Sequence, residues 1–193
     1  RLNIPLLHAQ DTRLQGSVSL AGNDVQIAPQ IPVLEKSQGL VRFSERGFDL
    51  QNVQTRLLGG NSRIEGGMGS SSAAGEPPLL IRAQGQVTAE GLRAARHLPP
   101  LDVLARQMKG QTSYSASLGW RNGQPEIQVR STLEGLEIGL PAPLGKRAAQ
   151  NLPLTVASRV TAAGSRDLLQ VQLGQVAGAQ YERDIASATP KAL

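Results

Sequence analysis

The chain has 193 residues and no cysteine, and this absence excludes two kinds of structure. Without thiols the fold cannot rest on a disulfide framework, and it cannot hold a metal through thiolate ligands. The two histidines, His8 and His97, stand apart and match no metal-ligand spacing such as HExxH. The sequence therefore predicts no metal site and no cofactor.

Aromatic residues are almost as scarce, at 3% of the chain. Single-stranded nucleic acid is bound by basic residues interleaved with aromatic side chains on which the bases stack. Here 20 Lys and Arg against 15 Asp and Glu give a net charge of +5, but the basic residues are spread along the chain without a cluster. We expect a solvated basic surface, no nucleic-acid partner, and a core packed by branched aliphatic side chains.

Long apolar runs are missing as well. No stretch reaches the roughly 18 apolar residues that a membrane-spanning helix requires. The start, RLNIPLLHAQ, lacks the charged region followed by an apolar run that marks a signal peptide. The abrupt start and the trailing ASATPKAL predict that residues 1–193 are a single internal or C-terminal segment of a longer protein.

No catalytic pattern stands out either. The acidic residues are scattered, and no GxSxG elbow is present. The glycines of LLGGNSRIEGGMG, residues 57–69, fit neither GxxxxGK(S/T) nor GxGxxG, which argues against a phosphate-binding loop. We interpret them as a turn at 59–60 and a bulge or close backbone approach at 66–67. The sequence favours a protein that is not an enzyme.

What the sequence has in abundance is alternation of apolar and polar residues with the period of a β-strand. In RLQGSVSL, residues 13–20, Leu14, Val18 and Leu20 fall on one face and polar residues on the other. Turns at 44–47 and 121–124, the latter containing Asn122-Gly123, predict antiparallel neighbours. Segments 79–90 and 126–134 repeat the alternation, and further strands are predicted at 25–28, 39–43, 47–58, 62–68, 112–120, 152–161 and 168–174.

Three stretches interrupt the strands. The helical spacing of Leu101, Leu104 and Met108 predicts a short helical insertion near 91–108. A Gly- and Ser-rich run at 69–78 predicts a flexible loop, and 184–193 is expected to be a disordered tail. The predicted fold is therefore mainly all-β: a long curled antiparallel sheet with one apolar face.

Such an apolar face must be covered. A second sheet or closure into a barrel would fill it with protein side chains. A curled sheet whose concavity holds a guest is equally economical, because many inward positions are small. These are Gly16, Ala83, Gly85, Ala89, Ala116 and Ser131.

Two passages resemble a known family. GLVRFSERGFDLQNVQTRLLGGNSRIEGGM, residues 39–68, is similar to the repeating unit of the AsmA-like superfamily. PEIQVRSTLEGLEIGLPAPLGKRAAQNLPLTV, residues 125–156, resembles the YhdP-type branch through its LPAPLGK passage. The resemblance implies a Gram-negative envelope protein, anchored in the inner membrane by an N-terminal helix that this chain lacks. In such proteins a curled β-groove in the periplasm, a β-taco, moves phospholipid toward the outer membrane.

The resemblance also implies what the apolar face does. It would shield phospholipid acyl chains, and the partners would be those chains, neighbouring segments of the same protein and possible envelope proteins. The alternative is a structural or protein-interaction β module whose apolar face is filled with protein. Lys146 of LPAPLGK is a candidate headgroup contact, although the two prolines and the glycine would also suit a rigid turn with a solvated lysine. The residues predicted to line the groove are Ile64, Met68, Ile81, Val87, Ile127, Val129, Leu133, Leu154 and Val156.

Overall fold

A computed structural model describes residues 2–3, 13–26, 32–69, 79–95, 101–121, 124–160 and 166–184 of the chain. The predicted loop at 69–78, apart from Gly69, and the predicted tail at 184–193, apart from Asp184, lie outside these ranges. The strands are β1 (Leu2–Asn3), β2 (Arg13–Val25), β3 (Leu34–Ser44), β4 (Gly47–Leu57), β5 (Gly60–Met68), β6 (Leu79–Thr88), β7 (Met108–Arg121), β8 (Gln124–Ser131), β9 (Leu136–Ile138), β10 (Leu154–Val160), β11 (Arg166–Leu173) and β12 (Ala177–Asp184).

All of these strands belong to one antiparallel sheet. The order is β1 to β8 followed by β10, β11 and β12, so almost every strand pairs with the next one in the chain. Strand β9 pairs only with the beginning of β7, where Met108 lies opposite Ile138. No pairing between described residues joins β1 to β12, so the sheet is open. The predicted all-β fold with a curled antiparallel sheet is confirmed.

The helical insertion is confirmed too, and it is short. Helix α1 spans Ala89–Ala94, helix α2 spans Leu101–Leu104, and a 3₁₀ helix follows at Ala105–Gln107. Helix α1 begins directly after β6 because the Thr88 hydroxyl accepts a hydrogen bond from the Gly91 amide at 3.0 Å, which caps the helix. The insertion therefore covers one end of the sheet, beside the start of β7.

Bulges bend the sheet where β3, β4 and β5 meet. The register shifts between Glu35 and Gln38 in β3, and again between Leu50 and Val53 in β4. The residues at these shifts, Lys36 and Asn52, have φ values of 50° and 49°. An extra residue in one strand increases local twist and curvature, so these two bulges help to curl the N-terminal half of the sheet.

The paired glycines of LLGGNSRIEGGMG lie in β5 and in the turn before it, close to the backbone of neighbouring segments. Gly59, with φ 81°, lies in the turn from β4 to β5, as predicted. A β-carbon on Gly66 would lie 2.1 Å from the Leu80 carbonyl oxygen. A β-carbon on Gly67 would lie 2.1 Å from the Phe48 carbonyl oxygen. The predicted close approach at 66–67 is confirmed, but the bulge itself lies opposite, in β4.

Replacing Gly66 by Ala should destabilise the fold by about 2–4 kcal/mol, because the new methyl group meets backbone and the φ of 114° strains any L side chain. Urea unfolding followed by circular dichroism measures the difference. Gly69→Ala is the matched control, since no described atom lies within 4 Å of its β-carbon position. Equal stability of the two variants would contradict the packing argument.

Buried apolar residues form two small clusters at opposite parts of the sheet. The N-terminal cluster consists of Leu34, Val53 and Ile64. The capping cluster lies where the insertion meets the loops after β8, and it consists of Ala89, Leu133, Leu136 and Ile138. Buried apolar side chains thus form a core only in the N-terminal part of the sheet and at the end where the insertion packs. Elsewhere on the apolar face, the described residues form no buried cluster.

Candidate functional site

The register of the sheet aligns mainly apolar residues into rows across one face, which we call the inner face. Residues directly opposite each other in paired strands share a face, so a row can be followed from strand to strand. The central row consists of Val53, Ile64, Ala83, Ala116, Val129, Val156, Val171 and Ala179. The adjacent row consists of Val18, Val41, Leu50, Gly66, Ile81, Leu118, Ile127, Ser158, Leu169 and Tyr181.

The opposite side of the sheet, the outer face, is polar. Its rows alternate with those of the inner face because successive side chains point to opposite sides of a strand. One row there contains Gln54, Arg63, Gln84, Ser115, Arg130, Thr155 and Gln172. The sheet therefore separates a wet surface from a dry one along its whole width.

The inner face is open along much of its length. Val53 and Ile64, which belong to the N-terminal cluster, are 4% and 8% exposed. Val18 and Ile127 lie in the adjacent row of the same face, yet they are 48% and 41% exposed. Large apolar side chains rarely remain that exposed in line on one surface unless the surface binds something. No second protein layer covers this row in the described part of the chain.

The predicted lining residues fall into two groups. Eight of them lie on the inner face: Ile64, Val129 and Val156 in the central row, Ile81 and Ile127 in the adjacent row, Leu154 and Val87 nearer the insertion, and Met68 at the far end of β5. Leu133 lies apart, buried in the capping cluster. Whether lipid contacts the inner-face residues stays a prediction.

Three small inward residues do not leave the space that their size suggested. A β-carbon on Gly85 would lie 2.4 Å from the Ser62 hydroxyl oxygen. A β-carbon on Gly16 would lie 2.3 Å from the ring of Phe43, the residue paired with it in β3. Ala89 is fully buried in the capping cluster. Ala83 and Ala116, in contrast, are only half-buried in the central row. The room for a guest therefore lies along the middle of the sheet.

A row of hydroxyl groups borders the apolar rows on the side of the insertion. The Ser62 hydroxyl lies 2.9 Å from the Tyr114 hydroxyl, and the Ser37 hydroxyl donates to Thr55 Oγ1 at 3.1 Å. Burial raises the pKa of the Tyr114 phenol, and the hydrogen bond with Ser62 acts in the opposite direction. These buried hydroxyls satisfy one another, so they mark where the apolar surface ends. Sequence reasoning missed them because the pairing partners are far apart in the chain.

Lys146 is buried and its ammonium group is bound to the backbone, so the predicted headgroup contact was wrong. It is 7% exposed, and its ammonium group donates to the carbonyl of Leu133 at 2.7 Å and to that of Leu136. Backbone hydrogen bonds between Lys146 and Ile138 hold the same loop. Burial lowers the pKa of Lys146, while the negative charge of Glu134 acts to raise it. Through Lys146, the LPAPLGK loop is therefore hydrogen-bonded to the backbone of the capping cluster.

An open, curled antiparallel sheet with one apolar and one polar face defines the class of the protein, a β-groove. A family model described as YhdP protein matches residues 1–191, so the chain belongs to the YhdP family. Neither a curated protein nor a solved structure matches the chain. Among the described residues, no helix has the length and hydrophobicity needed to cross a membrane.

Proposed function

We propose that this chain is a segment of a lipid conduit in the Gram-negative envelope. Its inner face shields the acyl chains of phospholipids as they move between the inner and outer membranes. The observation that carries the proposal is the mainly apolar row, interrupted only by Gly66 and Ser158, that remains exposed at Val18 and Ile127. Membership of the YhdP family supports it, because that membership suggests an envelope protein related to lipid transport.

The energetics explain why such a surface is useful. A phospholipid carries about 30 methylene groups, and exposing each to water costs about 0.8 kcal/mol, so free passage would cost on the order of 24 kcal/mol. An apolar row that accepts the chains before they leave the membrane removes most of this cost. No bond is made or broken, and the segment works without catalysis or a cofactor.

The length of the adjacent row suits a path for lipid chains across the sheet better than a closed binding pocket. The adjacent row crosses the ten strands β2 to β8 and β10 to β12, and at about 4.8 Å per strand its nine spacings amount to about 43 Å. Lipid chains would lie along this direction, and the headgroup would stay in water at the open side of the curled sheet. Neighbouring segments of a longer protein would continue the row at either edge.

The proposal implies a place and a set of partners. The segment would lie in the periplasm, as part of a protein anchored in the inner membrane by an N-terminal helix outside this chain. Its partners would be acyl chains, adjoining segments of the same protein and other envelope proteins that receive or supply lipid.

Photo-crosslinking tests the proposal directly. A photoreactive amino acid at Ile127 on the inner face should yield adducts with phospholipid in cells, whereas the same group at Gln128 on the outer face should not. Native mass spectrometry of the purified chain should also detect bound phospholipid. A structural module would instead give protein adducts at Ile127 and a lipid-free protein, and that result would overturn the proposal.

A further inference from the structure

A depression of about 560 Å³ lies on the outer face where β3, β4, β5 and β6 run side by side. Three cationic side chains surround it, those of Lys36, Arg56 and Arg63. No residue that lines it carries a carboxylate. The remaining lining is polar and uncharged: the side-chain amides of Gln38, Gln54, Asn61 and Gln84, together with Thr55 and Ser62.

The bulge in β3 is what places Lys36 at this depression. In strict alternation Lys36 would share a face with Leu34, which is buried in the N-terminal cluster. The register shift instead leaves Glu35 and Lys36 both exposed, and Lys36 takes a φ of 50°. A left-handed conformation is uncommon for lysine, and such residues cluster at functional sites.

The second bulge positions another of the cations. Asn52, with φ 49°, accepts a hydrogen bond from Arg63 through its side-chain oxygen at 2.7 Å. Arg63 also lies 3.5 Å from Glu65, an exposed pair that only partly offsets its charge. The left-handed residues at the two bulges, Lys36 and Asn52, are therefore both connected with this depression: Lys36 lines it, and Asn52 holds Arg63, which lines it.

The other two cations form no ion pair, although carboxylates lie nearby. Glu35 is opposite Arg56 in the register of β3 and β4, and Asp24 accepts a hydrogen bond from the Lys36 backbone amide at 2.8 Å. The Arg56 Nε atom donates to the Gly59 carbonyl at 3.2 Å, which orients the guanidinium and leaves its two terminal nitrogens for another acceptor. Neither Arg56 nor the Lys36 ammonium group forms an ion pair with any residue that the structure describes. Three positive charges around one concave surface attract an anion with several oxygens.

We propose that this depression binds a phosphate group, either free or carried by a lipid headgroup at a membrane surface. Guanidinium groups match phosphate oxygens with paired hydrogen bonds, and an ammonium group adds a point charge. The amide side chains supply further donors for the remaining oxygens. The site lies on the face opposite the apolar rows, so it does not depend on lipid binding there.

Phosphate binding can be measured on the purified chain by titrating inorganic phosphate and following backbone amide shifts by NMR. Shifts should centre on β3 to β6. The double variant Lys36→Gln/Arg56→Gln should weaken binding about fivefold, and added salt should weaken it further, because the charges are exposed. The matched control is Arg106→Gln/Arg130→Gln, which removes the same charge from exposed positions outside the depression.

Vesicles separate the two sources of phosphate. Co-sedimentation with phosphatidylcholine vesicles that contain phosphatidic acid, lost only in the Lys36/Arg56 variant, would identify a headgroup. Phosphate binding without vesicle binding would identify the free anion, and both results support the site. The proposal is overturned if inorganic phosphate causes no localised shifts, or if the control variant weakens binding as much as the Lys36/Arg56 variant.

Discussion

Val129→Asp should reduce lipid transfer by the full-length protein at least about tenfold while the protein stays folded. Val129 lies in the middle of the central row, with Ala116 and Val156 directly opposite it on the two neighbouring strands. A carboxylate there either brings water into the apolar path or stays unpaired against acyl chains, and both are unfavourable. Transfer of a fluorescent phospholipid between donor and acceptor vesicles gives the measurement.

Gln128→Asp is the control for this variant. Gln128 is the neighbouring residue on the same strand, but it belongs to the outer face, so the same carboxylate should change transfer little. Circular dichroism and thermal melting establish that both variants are folded. Equal loss of transfer in the two variants, or full transfer by folded Val129→Asp, would count against an apolar path.

Lys146→Met should lower the free energy of unfolding by about 2–4 kcal/mol, because the carbonyl groups of Leu133 and Leu136 lose their buried donor. Methionine keeps the length of the aliphatic stem, so the loss reports mainly on the two hydrogen bonds. Urea denaturation of the isolated chain provides the comparison with the unchanged protein.

A substitution at the neighbouring residue, Arg147, is the control for Lys146→Met. Arg147 is exposed, and Arg147→Met should change stability by no more than about 0.5 kcal/mol. If Lys146→Met proves as mild as Arg147→Met, the ammonium group does not hold the loop.

Alternation made the two faces predictable from sequence. The period of two in segments such as 79–90 predicts which side chains are dry, and in the structure Ile81, Ala83 and Val87 share the inner face. A resemblance in two passages predicted the family, and the match over residues 1–191 confirms it. Local patterns sufficed for these conclusions because each depends on neighbouring residues or on short strings of sequence.

Contacts between residues far apart in the chain could not be predicted from the sequence. Ser62 and Tyr114 are 52 positions apart, and only the strand order shows that they meet. The bulge at Lys36 carries no glycine that would signal a left-handed residue. Lys146 reads as a solvated lysine, since nothing in LPAPLGK reveals that the loop folds back over Leu136. Sequence periodicity describes strands, whereas these contacts are set by how strands and loops come together.

The hydrogen bond between the Ser62 and Tyr114 hydroxyl groups restrains the middle of the sheet. It links β5 to β7, which are two strand spacings or about 9.6 Å apart, and passes over Gly85 on the strand between them. A side chain at Gly85 would obstruct it, since a β-carbon there would lie 2.4 Å from the Ser62 hydroxyl oxygen. This hydrogen bond restrains the arrangement of three neighbouring strands, β5, β6 and β7. At this point the arrangement of β5, β6 and β7 is therefore held by a side-chain hydrogen bond as well as by the backbone ladder.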